Sequence, residues 1–446
     1  MIAPSKRLNR KLFRDIKQRR IVSLTHSPSP GFPFIPAFKY NKGNYYALDM
    51  KDYPSSIQGI SLNLAKSVIA LDDHVEKLLS MNKFPVLTRL ELLFCLELNM
   101  ASMILKTLPN PQILTSLGLY LRNRFPEYDE QAIIPIFQFI RNNCPGLDKL
   151  DLRITHSTEK LGLLNFQNKL RVLNLWIPVK TEKHLKDLGR FILAAKNLES
   201  LDLTIDFDAN CDLSKENLDE FYKVIGQLSQ LKKLYLNFSP ADNHFTRKDY
   251  LQYHEASASH PVLKEAIAYL SRLEELSLRI PNLGNHLLCE ALTRIASQLK
   301  SLEVNFYGQA LDMNGSLSFI GIFRKMMKLR ELCVSKFSLE HEENFLSFKE
   351  GLKGLKHLEE IELDHFEIPS KGDEILCDLV LSLLKKKGLK ELRVKHNFQE
   401  NVREGRTLVQ VDEILKKNPE LRIAKIQSRN ISFSDYFPPF ESFKYV

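Results

Sequence analysis

The sequence lacks the patterns that mark most enzymes and metalloproteins. It has no phosphate-binding G-x-x-x-x-G-K-[ST] loop, no G-x-S-x-G nucleophile motif and no H-E-x-x-H zinc motif. No two of its six cysteines form a C-x-x-C pair, which argues against a zinc site or a disulfide scaffold and favours a reducing compartment. We therefore expect a protein that is not an enzyme and that needs no cofactor.

Long apolar runs are also missing. No uncharged apolar stretch approaches the roughly eighteen residues that a membrane-spanning helix requires. The first residues contain no apolar core of a secretory signal. With 44% hydrophobic and 26% charged residues, the composition is typical of a folded protein in water. These features predict a cytoplasmic protein without a transmembrane segment.

Positive charge is concentrated at one end of the chain. The formal net charge is +9, but residues 1–20 alone hold eight Lys or Arg and one acid, Asp15. The basic arm that we define here includes Lys6, Arg7, Arg10, Lys11 and Arg14. Four interpretations stay open: docking to a partner, contact with nucleic acid or another acidic polymer, binding to a membrane surface, or a mitochondrial targeting helix. The last would make the protein mitochondrial.

A frame of apolar residues recurs along most of the chain. It reads L-x-x-L-x-L-x-Φ, where Φ is a large apolar residue, and we number its positions one to eight. Clear copies are LDKLDLRI (147–154), LRVLNLWI (170–177), LESLDLTI (198–205), LKKLYLNF (231–238), LEELSLRI (273–280) and LKSLEVNF (299–306). With weaker copies, about thirteen frames begin between residues 57 and 421, one every 30 residues or so. Alternation within each copy predicts a short strand.

These residues resemble a leucine-rich repeat protein, closest to the long-repeat kind typified by ribonuclease inhibitor. The resemblance implies an α/β solenoid of 12–13 irregular repeats, a horseshoe with a concave parallel sheet and convex helices. The slot that holds Asn or Cys in this family, three residues after position six, is filled by Cys95 and Asn397 but by other residues elsewhere. The array is therefore irregular.

The segments between strands have helical periodicity. Ser214 is a predicted N-cap for residues 215–228, in which Leu218, Phe221 and Ile225 form one apolar stripe. A strand and a helix repeated in one sense build a parallel sheet, and stacked repeats share a continuous core. We predict a solenoid over residues 57–428, with the basic arm at 1–20, a Pro- and aromatic-rich cap at 21–56 and an aromatic tail or cap at 429–446.

The predicted concave face is the candidate binding site. Frame positions three, five and seven point away from the core, so each repeat adds side chains to one surface. The candidate partner-binding residues are Leu93, Tyr120, Trp176, Tyr235, Glu303, Glu360, Glu362 and Asp364. Apolar and aromatic groups come from earlier repeats, and the acids come from later ones. Cys333 and Cys377 are interpreted as small core residues.

The sequence thus favours an interaction scaffold or a structural subunit of a larger assembly. Its partner would be a protein rather than a small-molecule substrate. The acids would recognise a basic segment, either of that partner or of the protein's own basic arm. Two other functions stay open. One is a substrate-recognition adaptor of a ubiquitin ligase, although residues 1–56 contain no evident F-box pattern. The other is a regulator of a GTPase or another enzyme.

Overall fold

The computed structural model describes thirteen stretches of the chain, and its compact regions form two units, Met1–Asp212 and Leu213–Val446. The described residues are 21–25, 59–63, 84–122, 133–155, 161–164, 169–207, 214–240, 261–280, 285–310, 321–338, 342–366, 372–396 and 423–427. The basic arm, most of the predicted cap and the aromatic tail lie outside them.

Parallel strands form the sheet of the first unit in sequence order. These strands are β1 (Ile21–Thr25), β2 (Gly59–Asn63), β3 (Arg89–Glu97), β4 (Ser116–Arg122), β5 (Lys149–Ile154), β6 (Val172–Val179) and β7 (Ser200–Phe207). Each strand pairs in parallel with the next one along the chain. Every predicted frame of this unit is therefore a strand. β1, which precedes the first predicted frame, lies in the segment predicted as a cap.

The second unit repeats the same arrangement. Its strands are β8 (Lys233–Pro240), β9 (Glu275–Arg279), β10 (Ser301–Ala310), β11 (Glu331–Ser338), β12 (Glu360–Phe366), β13 (Glu391–His396) and β14 (Ile423–Gln427). They also pair in parallel and in sequence order. Strands that follow one another in parallel must be joined by connections that return along the sheet.

Helices supply many of those returning connections. They are α1 (Leu98–Lys106), α2 (Ile134–Asn143), α3 (Glu182–Ala194), α4 (Lys215–Gly226), α5 (Pro261–Tyr269), α6 (Asn285–Ile295), α7 (Glu342–Gly354) and α8 (Gly372–Leu384). Residues 321–325 are helical as well, and Pro111–Ile113 and Leu161–Leu163 form short 3-10 turns. The predicted Ser214 cap is confirmed, since its hydroxyl accepts a hydrogen bond from the Asn217 backbone N–H.

The core consists of the frame leucines and the apolar stripes of the helices. At position four, Leu150, Leu173 and Leu201 in the first unit are fully buried, as is Leu234 in the second. Each leucine removed from water in this way contributes about 2 kcal/mol. On the helix side, Leu185, Leu188 and Ile192 of α3 are buried together, as the sequence predicts. Strand frames facing helix stripes confirm the predicted α/β leucine-rich repeat architecture within each unit.

A repeated backbone contact fixes the register of neighbouring repeats. The carbonyl oxygen at frame position two accepts hydrogen bonds from two N–H groups of the next repeat, those at positions two and three. The Arg330 carbonyl, for example, accepts from Glu359 at 2.7 Å and from Glu360 at 2.9 Å. The same pair of bonds recurs from β3 to β7 and from β8 to β13. Equivalent residues of successive repeats therefore lie side by side.

One glycine marks the closest helix contact. Gly226 ends α4, and a Cβ atom placed there would lie 2.9 Å from the Ala266 Cα atom of α5. That separation is shorter than ordinary van der Waals contact, and the neighbouring atom belongs to backbone. Only glycine therefore fits between these two helices of the second unit without displacing one of them.

We expect substitution by aspartate to reduce the free energy of unfolding much more at an inward position of a strand than at an outward one. Leu236→Asp would place an unpaired charge at a site that is 1% exposed, and should cost about 4 kcal/mol of unfolding free energy. Asn237→Asp changes the adjacent, outward residue, whose register partner is Arg279, and should change stability by less than about 1 kcal/mol. Urea unfolding followed by circular dichroism checks both. Equal losses would contradict the assigned faces.

Candidate interaction surface

Side chains at positions three, five and seven form rows across the sheet of the second unit. Register pairs join the position-five residues of successive strands, in the order Tyr235, Ser277, Glu303, Cys333, Glu362 and Arg393. A second row at position three contains Glu331, Glu360 and Glu391 on β11, β12 and β13. Because neighbouring strands lie about 4.8 Å apart, the carboxylates of a row crowd one another.

A shallow pocket of about 190 Å³ lies where these rows meet. Five glutamates line it, together with Tyr235, Cys333 and Arg393; they are Glu303, Glu331, Glu360, Glu362 and Glu391. We call this the acidic pocket. All of its lining residues come from the sheet of the second unit, so the in-register repeats alone assemble it.

Some of the pocket carboxylates already have cationic partners. Arg279 Nε donates to Glu303 Oε1 at 2.8 Å, and the Ser277 hydroxyl donates to Glu303 Oε2 at 2.9 Å. Arg393 lies 2.8 Å from a Glu391 oxygen and 3.4 Å from a Glu362 oxygen. These contacts restrict the side chains of three of the five glutamates and partly neutralise their negative charge.

Glu331 and Glu360 are different. They are register partners on adjacent strands, and neither forms a salt bridge within the described part of the chain. The pKa of Glu360 is raised above its ordinary value, first by partial burial and then by the negative charges of Glu391 and Glu331. The pocket therefore retains negative charge that the fold does not neutralise.

The thiol of Cys333 lies among the pocket residues. Burial and the nearby carboxylates of Glu303 and Glu362 raise its pKa to about 12. The sulfur is therefore protonated at neutral pH and is not a nucleophile there. Interpreting Cys333 as a core residue was wrong, because it occupies outward position five and is half-buried.

The first unit presents an aromatic pair on its outward face. Tyr120 on β4 and Trp176 on β6 stack with ring centroids 6.0 Å apart and an interplanar angle of 24°. Arg153 of β5 lies between them in the register. The Trp176 indole N–H donates a hydrogen bond to the Asp206 carboxylate, yet the residue is 38% exposed. The pair is thus ordered and still accessible.

The predicted site residues fall into two groups. Tyr235, Glu303, Glu360 and Glu362 line the acidic pocket, whereas Tyr120 and Trp176 form the aromatic pair of the first unit. Asp364 lies on the outward side of β12, beyond the pocket lining, and only the backbone of Leu93 is described. The residues of the basic arm and the side chain of Cys377 lie outside the described part of the chain.

The pocket is also lined by Glu331, Glu391, Cys333 and Arg393, which are not among the eight candidate partner-binding residues. Their frame positions, three for the two glutamates and five for the other two residues, place them on the same outward face. In the stretches that the structure describes, no group of three or more His, Cys, Asp or Glu residues has the arrangement of a metal site. No helix in those stretches is both long enough and apolar enough to span a bilayer.

Comparisons with known proteins give two partial similarities. No family model matches the chain. It is 28% identical over 294 residues to mouse baculoviral IAP repeat-containing protein 1e, covering 60% of this chain and only 19% of that protein. An internalin (inlF) from Listeria monocytogenes aligns with 77% of this chain and 81% of its own, at 15% identity and a TM-score of 0.39. The repeat frame and the parallel sheet that it builds in each unit give this chain an α/β leucine-rich repeat architecture.

Proposed function

We propose that the protein is a non-enzymatic scaffold that binds a partner protein on its outward sheet faces. We further propose that the acidic pocket takes a basic segment of that partner. A leucine-rich repeat fold suits the general role, since its strands present ordered side chains on a preformed surface. Binding to such a surface costs little ordering free energy on the scaffold side.

The row of Glu331, Glu360 and Glu391 is the observation that supports this proposal most strongly. Like charges on directly opposed strand positions destabilise a sheet, so this row opposes folding. A lysine or arginine side chain placed against Glu331 and Glu360 would supply the missing counter-charge. Such complementarity affects specificity and association rate more than it affects total affinity.

The aromatic pair of the first unit supports a second contact surface. Rigid rings with apolar faces and a polar edge are enriched among residues that dominate binding free energy. Hydrogen bonding to Asp206 and stacking on Tyr120 already restrict the Trp176 side chain. Little rotamer freedom would therefore be lost when a partner covers it.

Replacing Glu331 and Glu360 together by Gln should weaken binding of a fluorescently labelled lysine–glycine peptide by about tenfold at about 50 mM NaCl. The difference should nearly vanish at about 500 mM NaCl, where the charges are screened. Fluorescence anisotropy measures both affinities.

The matched control is Glu220→Gln with Glu265→Gln, which removes the same charge from exposed helix positions of the second unit. This control should bind the peptide almost as well as the unmodified protein. Equal weakening by both pairs would show that the peptide senses only net charge, and the pocket would lose its proposed role.

Glu360→Gln alone should stabilise the protein at pH 7 by on the order of 0.5 kcal/mol. Because the pKa of Glu360 is higher in the folded than in the unfolded protein, protonation of this carboxyl favours folding. This contribution to the free energy of unfolding is fully present below the unfolded-state pKa and is lost as pH rises through the folded-state pKa. The melting temperatures of the variant and the unmodified protein should therefore become equal near pH 4. Thermal melts across this range measure the difference.

Glu350→Gln provides the opposite case. A hydrogen bond from Lys353 lowers the pKa of Glu350, so its removal should not stabilise the protein at pH 7. Stabilisation by both variants would point to a general charge effect rather than to repulsion within the row.

Trp176→Ala should abolish capture of those partners that depend on the aromatic pair, with a folding cost of only about 1 kcal/mol. Each variant is immobilised and exposed to cell extract, and quantitative mass spectrometry measures the captured proteins. Trp176→Ala is compared with Trp176→Phe, which keeps a ring. Tyr269→Ala is the control, because it truncates a ring that is 67% exposed in the second unit. A loss of many degrees in melting temperature with capture intact would make Trp176 a structural residue and remove this surface from the proposal.

A further inference from the structure

Three successive helix-to-strand loops of the second unit carry a second, oppositely charged surface. They are residues 324–330 (RKMMKLR), 353–359 (KGLKHLE) and 385–390 (KKKGLK), each of which runs from the end of a helix to the residue before β11, β12 or β13. Because these strands are parallel, all three loops lie at the edge where the strands begin. Glu359 is the one acid among these residues, and it pairs with Arg330 and Lys390.

Contacts between the loops place them side by side. The Arg324 side chain lies 3.9 Å from the position that a Cβ of Gly354 would occupy. The Lys386 amine donates to the backbone carbonyls of Leu352 at 3.4 Å and Lys353 at 3.3 Å. The middle loop therefore touches both of its neighbours, and the three form one continuous strip.

Six cations of this strip are exposed, and none forms a salt bridge with a described residue. We call them the basic edge: Arg324, Lys325, Lys328, Lys356, Lys385 and Lys387. The nearby acids Glu359 and Glu350 pair with other cations, Glu359 with Arg330 and Lys390 and Glu350 with Lys353. Glu274 pairs with Lys300, and its pKa is lowered first by that hydrogen bond and to a lesser extent by the charge of Lys328. The positive charge of the edge is thus available to a ligand.

Stabilisation of the helix ends accounts for only some of these residues. A cation near the last carbonyls of a helix compensates their partial negative charge. Lys386 has that position, because it binds carbonyls at the end of α7, and burial lowers its pKa. Arg324, Lys325 and Lys385 also lie in or next to the last turn of a helix. Lys328, Lys356 and Lys387 lie two or three residues beyond the helix ends, where their exposed charges add mutual repulsion to the folded state.

One apolar side chain interrupts the cations. Met327 is 52% exposed and lies between Lys325 and Lys328 in the middle of the first loop. The three loops contain no Phe, Tyr or Trp on which a nucleic-acid base could stack, and five of the six cations are lysines rather than bidentate arginines. An exposed apolar residue among clustered lysines matches the headgroup region of an anionic bilayer better than it matches a phosphodiester backbone.

We propose that the basic edge of the second unit docks on an anionic lipid bilayer, with Met327 entering the headgroup boundary. Each cation that reaches such a surface raises the partition coefficient about fivefold. This inference is independent of the proposed partner site, which uses the face of the sheet rather than its edge.

The test uses the full chain and vesicles of phosphatidylcholine with or without about 30% phosphatidylserine. Lys325→Gln, Lys356→Gln and Lys385→Gln in one protein remove one charge from each loop, and should weaken sedimentation with the anionic vesicles about a hundredfold. The matched control, Lys180→Gln with Lys183→Gln and Lys186→Gln, removes equal charge from exposed positions of the first unit and should bind normally. The basic arm is identical in both proteins, so its contribution cancels in the comparison.

Met327→Ser separates a bilayer from other polyanions. It should weaken vesicle binding several-fold while leaving any binding of a labelled RNA unchanged, because only the bilayer offers an apolar boundary. Three results would overturn the proposal. The unmodified protein could show no preference for anionic vesicles, or the triple loop variant could bind them as well as its control does. Met327→Ser could also lose RNA binding without losing vesicle binding.

Discussion

The carbonyl oxygen at frame position two is the contact on which the rest of the structure depends. By accepting two N–H groups from the following repeat, it holds each strand in register with the next one. A slip of one residue would turn every frame leucine to the outward side and every outward residue into the core. Burial of the leucines selects this register, and the shared acceptor holds it, so together they determine which residues become neighbours. Both the acidic pocket and the aromatic pair are products of that register.

The acidic pocket and the basic edge illustrate how a repeat array separates opposite charges. Outward positions three and five collect glutamates on one surface, while the loops that precede the same strands collect lysines. Pairing across repeats neutralises part of each set, as Arg393 does for Glu391 and Glu362. The residues left over, including Glu331, Glu360 and the six cations, are those whose charge the fold does not require. They are also the residues on which both proposals rest.

Much of the architecture could be read from the sequence because the frame is local. A period of two within eight residues predicts both the strand and its buried face, and every predicted frame is a strand. β1 escaped detection because only Val22 and Leu24 alternate there, and Arg19 stands where the frame begins with leucine. The diagonal contact from Arg279 to Glu303 was beyond reach, since it depends on side-chain conformations across two strands. Cys333 was misassigned for another reason: residue type was given more weight than frame position.

The Cys333 thiol gives the acidic pocket a chemical indicator of its own. Its pKa of about 12 reflects burial and the surrounding carboxylates, and only the thiolate reacts with alkylating reagents. A lysine or arginine side chain bound beside Glu303 and Glu362 would offset their charge and lower that pKa. The rate of alkylation at mildly alkaline pH would then rise as the pocket fills, unless the ligand covers the sulfur. The native protein therefore carries a reporter of occupancy that needs no introduced label.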